Sequence, residues 1–120
     1  MSVGIVGGSV SPSTALTLNA QTGTTYTFVL TDANNTLVTA SNASAQTYTI
    51  QPNSSVAYPI GSQINIIQIG AGQVSFAQGS GVTIASSGAT STAPKCRVQY
   101  SAATAIKVNT DSWYVVGDIA

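Results

Sequence analysis

The chain has 120 residues, is 43% hydrophobic and only 5% charged, with formal net charge zero and no histidine. A soluble domain is typically about 25% charged, so Ser, Thr, Asn and Gln must supply most of the polar surface. This composition argues against an enzyme, because acid–base catalysis usually draws on His, Glu or Asp. It also argues against nucleic-acid binding, which needs clustered Lys and Arg. The apolar content excludes the usual signature of disorder.

The few reactive side chains do not form a recognisable chemical motif. The three carboxylates stand apart, in predicted turns or near the chain end, where turn capping explains them: Asp32, Asp111 and Asp118. Cys96 is the single cysteine and is interpreted as a small interior residue. Neither a soft-metal site nor a calcium site is indicated, because both need several ligands. We therefore expect no catalytic residue, no metal and no cofactor.

The start of the chain carries no targeting signal or membrane span in the usual pattern. It has no basic segment followed by an apolar run, and no stretch approaches the ~20 apolar residues that cross a bilayer. Synthesis in the cytoplasm and no membrane partner are the expectation. Zero net charge removes the repulsion that keeps small proteins apart, which favours a protein that works inside an assembly.

Residues 1–20 are predicted to form an extended N-terminal arm, and residues 21–120 a β domain. The arm is uncharged and too apolar for a segment that only contacts water. We expect it to dock on a partner through its large apolar side chains, namely Val3, Ile5, Val6, Val10, Leu16 and Leu18.

The following segments alternate in the manner of half-buried strands. Tyr26–Thr31 places aromatic and aliphatic residues on one face and threonines on the other, a period of two. Asp32–Asn35 is typical of a turn, so Thr36–Ala40 is predicted to return as the second strand of a hairpin. Gln46–Ile50 alternates again.

The most apolar strand, Gln63–Ile69, has a break in its alternation. Ile64 and Ile66 are out of phase with Ile67 and Ile69. This pattern indicates either a β-bulge or burial on both faces.

Five more short strands complete the predicted set. They are Gln73–Ala77, Val82–Ala85, Cys96–Ser101, Thr104–Val108 and Ser112–Gly117. Residues 85–94 form a predicted loop rich in Ser, Thr and Ala. The spacing predicts an all-β fold, a compact antiparallel β-sandwich or barrel of about nine short strands with an N-terminal arm.

The aromatic residues leave two interpretations open. Tyr58, Trp113 and Tyr114 stand among amides and hydroxyls, as in a surface that stacks on a glycan. They equally fit a core or an interface, since Tyr and Trp supply large apolar area with one polar tip.

Two longer segments resemble a known type of module. They are SNASAQTYTIQPNSSVAYPIGSQI (41–64) and QIGAGQVSFAQGSGVTI (68–84), with a closing WYVVGD (113–118). Together they resemble a β module of tailed-bacteriophage structural proteins, found in fibres and in head or tail appendages. The arm and the Ser/Thr-rich loop fall outside the resemblance.

The resemblance implies a virion protein made in the host cytoplasm and placed on the phage head. It implies a capsid decoration or cement protein whose partners are the major capsid protein and copies of itself, in a homotrimer. The alternative it leaves is a fibre or tail-appendage module that binds a host receptor or glycan. Both are analogies at the level of the fold.

Overall fold

A computed structural model of the chain describes residues 15–88 and 90–120. Within these ranges the backbone is strand-rich, with one 3-10 turn at Leu30–Ala33. The strands are β1 (Thr17–Gln21), β2 (Thr25–Thr27), β3 (Thr36–Ala40), β4 (Gln46–Ile50), β5 (Gln63–Gln68), β6 (Val74–Gln78), β7 (Thr83–Ser86), β8 (Ala102–Asn109) and β9 (Ser112–Gly117).

The first six strands alternate between two sheets. The larger sheet, sheet A, has the order β1-β3-β5-β8-β9-β7, and the smaller, sheet B, has the order β2-β4-β6. Each pair β1–β2, β3–β4 and β5–β6 is therefore one coil, and the three coils stack in parallel. This part of the molecule is a short β-solenoid.

Backbone hydrogen bonds join the corners of successive coils. Ser41 N–H donates to the Gln21 carbonyl at 2.9 Å, and Gly72 N–H donates to the Asn42 carbonyl at 2.8 Å. The Asn42 amide also donates to the Thr22 carbonyl at 2.8 Å. The corners thus satisfy part of their backbone hydrogen bonding by stacking on each other.

The second half of the chain closes the stack. β8 pairs antiparallel with β5 and with β9, and β7 lies parallel to β9 at the far edge of sheet A. Sheet B is extended beyond β6 by two single antiparallel bridges. Lys95 pairs with Ser75 of β6, and Cys96 pairs with Ile119.

The core lies between the two sheets and is built around an aromatic ladder. Tyr26, Tyr48 and Phe76 occupy matching positions in β2, β4 and β6. Phe28 packs against this ladder, with its ring centroid 5.6 Å from that of Tyr48 and 6.1 Å from that of Phe76. Aromatic pairs at this spacing contribute beyond the area that they bury.

The prediction of a strand-rich chain is confirmed, but the predicted antiparallel arrangement is wrong for most of it. Five of the seven strand pairs within the described ranges are parallel. The reason is that, within a coil, a short corner carries the chain from sheet A to sheet B. The next strand of the same sheet therefore belongs to the following coil and runs in the same direction. The alternation of apolar and polar residues along a strand does not indicate which strand it pairs with.

Two local predictions also fail, and one of two explanations for a third feature is excluded. The predicted hairpin of Tyr26–Thr31 with Thr36–Ala40 does not form, because the chain turns into the 3-10 segment after β2 and leaves Leu30 exposed. Cys96–Ser101 is not a strand and contains only the bridge at Cys96. Of the two explanations for the phase break in Gln63–Ile69, the bulge is wrong, since β5 keeps a regular register with both neighbours. Ile67 is instead half-buried on the side opposite to the buried Ile64 and Ile66.

The predicted boundary at residue 20 falls inside β1. Residues Thr17–Gln21 pair with β3 along their whole length, so the last residues of the predicted arm belong to sheet A. Residues 1–14, with Val3, Ile5, Val6 and Val10, lie outside the described residues.

Candidate functional site

The outward side of sheet A is a broad uncharged surface. We call it the outer face. It is formed by the side chains that alternate with the buried ones on its six strands: Leu18, Ala20, Leu37, Thr39, Gln63, Asn65, Ile67, Thr83, Ala85, Ala102, Thr104, Ile106, Val108, Tyr114 and Val116. Six strands at the usual spacing make a surface about 24 Å wide.

Strand register brings apolar and neutral polar side chains into rows across this face. One row runs Leu18, Leu37, Asn65, Thr104, Val116. Within it the Thr104 hydroxyl donates to the Asn65 side-chain oxygen at 2.7 Å. A surface of this kind covers a partner without desolvating an ion.

Five of the six charged residues lie outside the strands of sheet A, and the sixth, Lys107, is buried. Lys107 lies on β8 between two outer-face residues but is only 2% exposed and turned inward. Its ammonium donates to the Asn53 side-chain oxygen and to the Tyr58 carbonyl, both at 2.7 Å. These two bonds explain how a lysine is tolerated in the interior.

The exposed ion pair lies near the sheet B extension. Arg97 donates to Asp118 at 2.7 Å. That contact and a hydrogen bond from the Ser101 hydroxyl hold the pKa of Asp118 below its ordinary value. At a surface such a pair adds little stability.

At the β1–β2 end of the stack, a polar cluster closes the core. Asp32 is 1% exposed. Its carboxylate accepts hydrogen bonds from the Tyr26 hydroxyl at 2.7 Å, the Asn19 amide at 2.8 Å and the Val29 N–H at 2.9 Å. Gln21 donates in turn to the Asn19 side-chain oxygen at 2.8 Å. The first coil is thus filled by satisfied polar groups instead of apolar ones, as in the capping repeats of solenoids.

The two arm residues within the described range are both exposed. Leu18 is 66% exposed on the outer face, and Leu16 is 43% exposed just before β1. Large apolar side chains at this exposure are suited to a partner contact, in keeping with the interpretation of the arm.

The three aromatic residues proposed for glycan binding are not brought together. Trp113 and Tyr58 are buried and pack edge-to-face, with ring centroids 5.2 Å apart. Their burial fits the core interpretation for both, although Trp113 also borders the shallow cavity around Tyr114. Tyr114 is exposed and lies on the outer face.

A shallow cavity of about 290 Å³ surrounds Tyr114 at the β7–β9 edge. Its lining is neutral: Thr83, Ala85, Val108, Asn109, Ser112, Trp113 and Tyr114. An aromatic ring beside hydroxyls and an amide is a combination that suits an uncharged sugar. A second cavity of about 420 Å³ lies between the 3-10 turn and residues 57–62, and its lining is also uncharged.

Metal ligands do not cluster in the described ranges. Residues 15–88 and 90–120 hold no group of three His, Cys, Asp or Glu side chains able to bind a metal ion. Within the same ranges no helix is long and apolar enough to cross a membrane. No protein-family model matches the chain, and no curated protein matches it either.

The outer face was not predicted from the sequence, although the positions of some apolar residues indicated it. Leu37, Ile67, Ile106 and Val116 all occupy the phase opposite to the buried residues of their strands. The phase break of Gln63–Ile69 was one such signal. It reflects apolar side chains on both sides of sheet A, with the outward ones only half-buried.

Buried phenols and the thiol predict how stability depends on pH. Burial raises the pKa of Tyr48 from 10.0 to about 12 and that of Cys96 from 9.0 to about 11. Burial, then the hydrogen bond to Asp32, raises the pKa of Tyr26 to about 12. The unfolded chain loses these protons first, so stability is present at neutral pH and lost as the pH rises from about 9 to 12.

We expect the free energy of unfolding to fall steeply in that alkaline range, with Tyr48 alone contributing about 2–3 kcal/mol at its upper end. Urea melts at neutral pH and at several alkaline values measure this. Tyr48→Phe is the control and should lessen the alkaline loss. An unchanged melt up to pH 12 contradicts the assignment of these groups to the core.

Proposed function

We propose that the protein is a non-enzymatic virion structural protein of a tailed phage, a capsid decoration or cement protein on the head surface. Its partners in this proposal are the major capsid protein and copies of itself. The observation that carries the proposal is the outer face, a wide sheet surface without a single charged side chain. The resemblance of residues 41–64 and 68–84 to phage modules supplies the virion context.

A cement protein acts by covering seams with buried area, about 1,000 Å² or more for a stable contact. An uncharged surface suits this task because its binding depends little on screened charge pairs. Exposed apolar side chains on the outer face, such as Leu18, Tyr114 and Val116, supply area that gains from burial. The exposed ion pair Arg97–Asp118 lies outside the six strands of this face.

The copy number on purified particles tests the proposal. A decoration protein is expected at hundreds of copies per head and should remain bound over a wide range of salt concentrations. A dozen copies or fewer points to a fibre or tail part, and absence from particles overturns the proposal.

A substitution on the outer face gives a sharper test. Val116→Lys places an ammonium on the proposed contact surface, where burying an unpaired charge costs several kcal/mol. We expect capsid affinity to fall about 100-fold or more in a binding assay with undecorated heads. The matched control is Val98→Lys, since Val98 is 47% exposed and Val116 49%, but Val98 lies in the segment before β8, outside the six strands that form the outer face. Equal effects of the two variants would contradict a contact through this face.

The second candidate function is a fibre or tail-appendage module that binds a host receptor or glycan. The observation that favours it is the neutral cavity around exposed Tyr114. It predicts hits on a glycan array that vanish with Tyr114→Ala and persist with Tyr100→Ala, a more exposed tyrosine outside the lining of this cavity.

A further inference from the structure

The β1–β2 end of the stack leaves both sheets with an unpaired edge. β1 bonds only to β3, and β2 only to β4, among the described residues. Natural sheet edges are usually blunted by charges, prolines or bulges. β1 (TLNAQ) and β2 (TYT) carry none of these.

The hydrogen bonds of β1 identify which backbone groups face outwards. Thr17 N–H donates to the Asn35 carbonyl, and the Gln21 carbonyl accepts from Ser41 N–H, both at 2.9 Å. Odd-numbered residues of β1 therefore bond towards β3. In a strand the backbone groups of alternate residues point to opposite sides, so Leu18 and Ala20 present their N–H and C=O groups to the open edge.

The same reasoning applies to β2. The Thr24 carbonyl accepts from Thr47 N–H at 2.8 Å, and Phe28 N–H donates to the Thr49 carbonyl at 3.0 Å. Even-numbered residues bond towards β4, which leaves the backbone groups of Thr25 and Thr27 at the open edge.

The centres of the two open edges face each other across the core. Asn19 is the central residue of β1 and Tyr26 that of β2, and the Asn19 amide donates to the Tyr26 hydroxyl at 3.0 Å. One axis perpendicular to both sheets can therefore pass beside both central residues.

We propose that two copies of the chain associate about such a two-fold axis, with β1 pairing antiparallel to β1 and β2 to β2. Leu18 then lies opposite Ala20 of the second copy, and Thr25 opposite Thr27 of the second copy. Each opposed pair exchanges two backbone hydrogen bonds, and both sheets continue across the junction.

The second copy is the occupant because self-pairing requires an uncharged strand. An antiparallel two-fold pair places the central residue of each strand opposite its own equivalent and every other residue within a few residues of its own, so a charge on β1 or β2 would lie near an identical charge. Neither strand carries one, and the whole chain has formal net charge zero. The nearest ionised group, Asp32, is buried and hydrogen-bonded within its own copy. This inference does not depend on the role in a virion, and it points to a dimeric contact where the phage resemblance implies a trimer.

Disulfide trapping on the full chain tests the register. Opposed Leu18 and Ala20 would have Cα atoms about 5.5 Å apart, within disulfide range. Two copies of Leu18 would be roughly 8–9 Å apart, which is out of range. A mixture of Leu18→Cys and Ala20→Cys chains should therefore give a covalent dimer on mild oxidation, at least tenfold more than either variant alone. The native Cys96 is buried and does not interfere.

The matched control mixes Leu37→Cys with Thr39→Cys chains, which carry the same spacing on β3 inside the sheet. It should give no dimer. Equal cross-linking in single and mixed samples, or a covalent dimer from the β3 control, overturns the proposal. Amide hydrogen exchange of the unmodified chain is the second measurement. Exchange at Leu18 and Ala20 should slow with rising protein concentration, and exchange independent of concentration also overturns it.

Discussion

Replacing Gly72 by alanine is expected to lower the free energy of unfolding by at least about 3 kcal/mol. Gly72 lies in the corner between β5 and β6, directly against the corner between β3 and β4. A Cβ atom at this position would overlap the backbone carbonyl of Ser44 and press on that of Asn42. Because the obstacle is backbone, relief requires moving one coil away from the next and breaking the bond from Gly72 N–H to Asn42.

Gly23→Ala is the matched control. Gly23 occupies the equivalent corner of the first coil, between β1 and β2. A Cβ atom there would lie 3.5 Å from the Thr25 carbonyl oxygen, an ordinary contact. We expect this variant to be neutral or slightly stabilising, since alanine restricts the unfolded chain. Urea unfolding of both variants measures the difference, and equal stability would show that the corners are not tightly stacked.

The sequence predicted individual strands better than their partners. Thr36–Ala40, Gln46–Ile50 and Ser112–Gly117 were predicted with the bounds that β3, β4 and β9 have. Alternation arises within one strand, from side chains that point to opposite sides. Pairing depends on the direction in which each corner turns the chain. The corners here contain residues common to many turns, which do not distinguish a solenoid corner from a hairpin.

A weak repeat in the sequence could have revealed the solenoid. TYT at 25–27, TYT at 47–49 and SFA at 75–77 stack in register as the aromatic ladder of sheet B. The loops between the coils differ in length, so the repeat has no fixed period and escapes a search for one. The hairpin interpretation failed for a related reason. The 3-10 turn carries Asp32 back under β1 and ends the β2 strand early.

The candidate surface was less predictable than the strands. An isolated outward leucine or valine is normal on any protein, and only the register of six strands brings these side chains onto one face. Charge was the more informative property. Its absence from residues 1–31 pointed to a contact at the start of the chain, and β1 is an open edge in that segment.

Trp113→Ala is expected to cost about 3–5 kcal/mol of stability, or about 10–20 °C in Tm. The indole is 1% exposed, packs edge-to-face on Tyr58, and lies opposite Lys107 of β8 and Ile84 of β7. Its removal leaves a cavity next to these three neighbours, Tyr58, Lys107 and Ile84. It also loosens the contact that holds Tyr58, whose carbonyl accepts a hydrogen bond from Lys107.

Tyr114→Ala is the matched control for this prediction, because Tyr114 is the next residue but is 53% exposed. Thermal and urea unfolding should show little change for it. The pair also separates stability from binding. If Tyr114 contacts a glycan, its variant loses binding while it keeps the wild-type Tm, whereas Trp113→Ala loses both together. A Trp113→Ala chain of wild-type stability would contradict its place in the core.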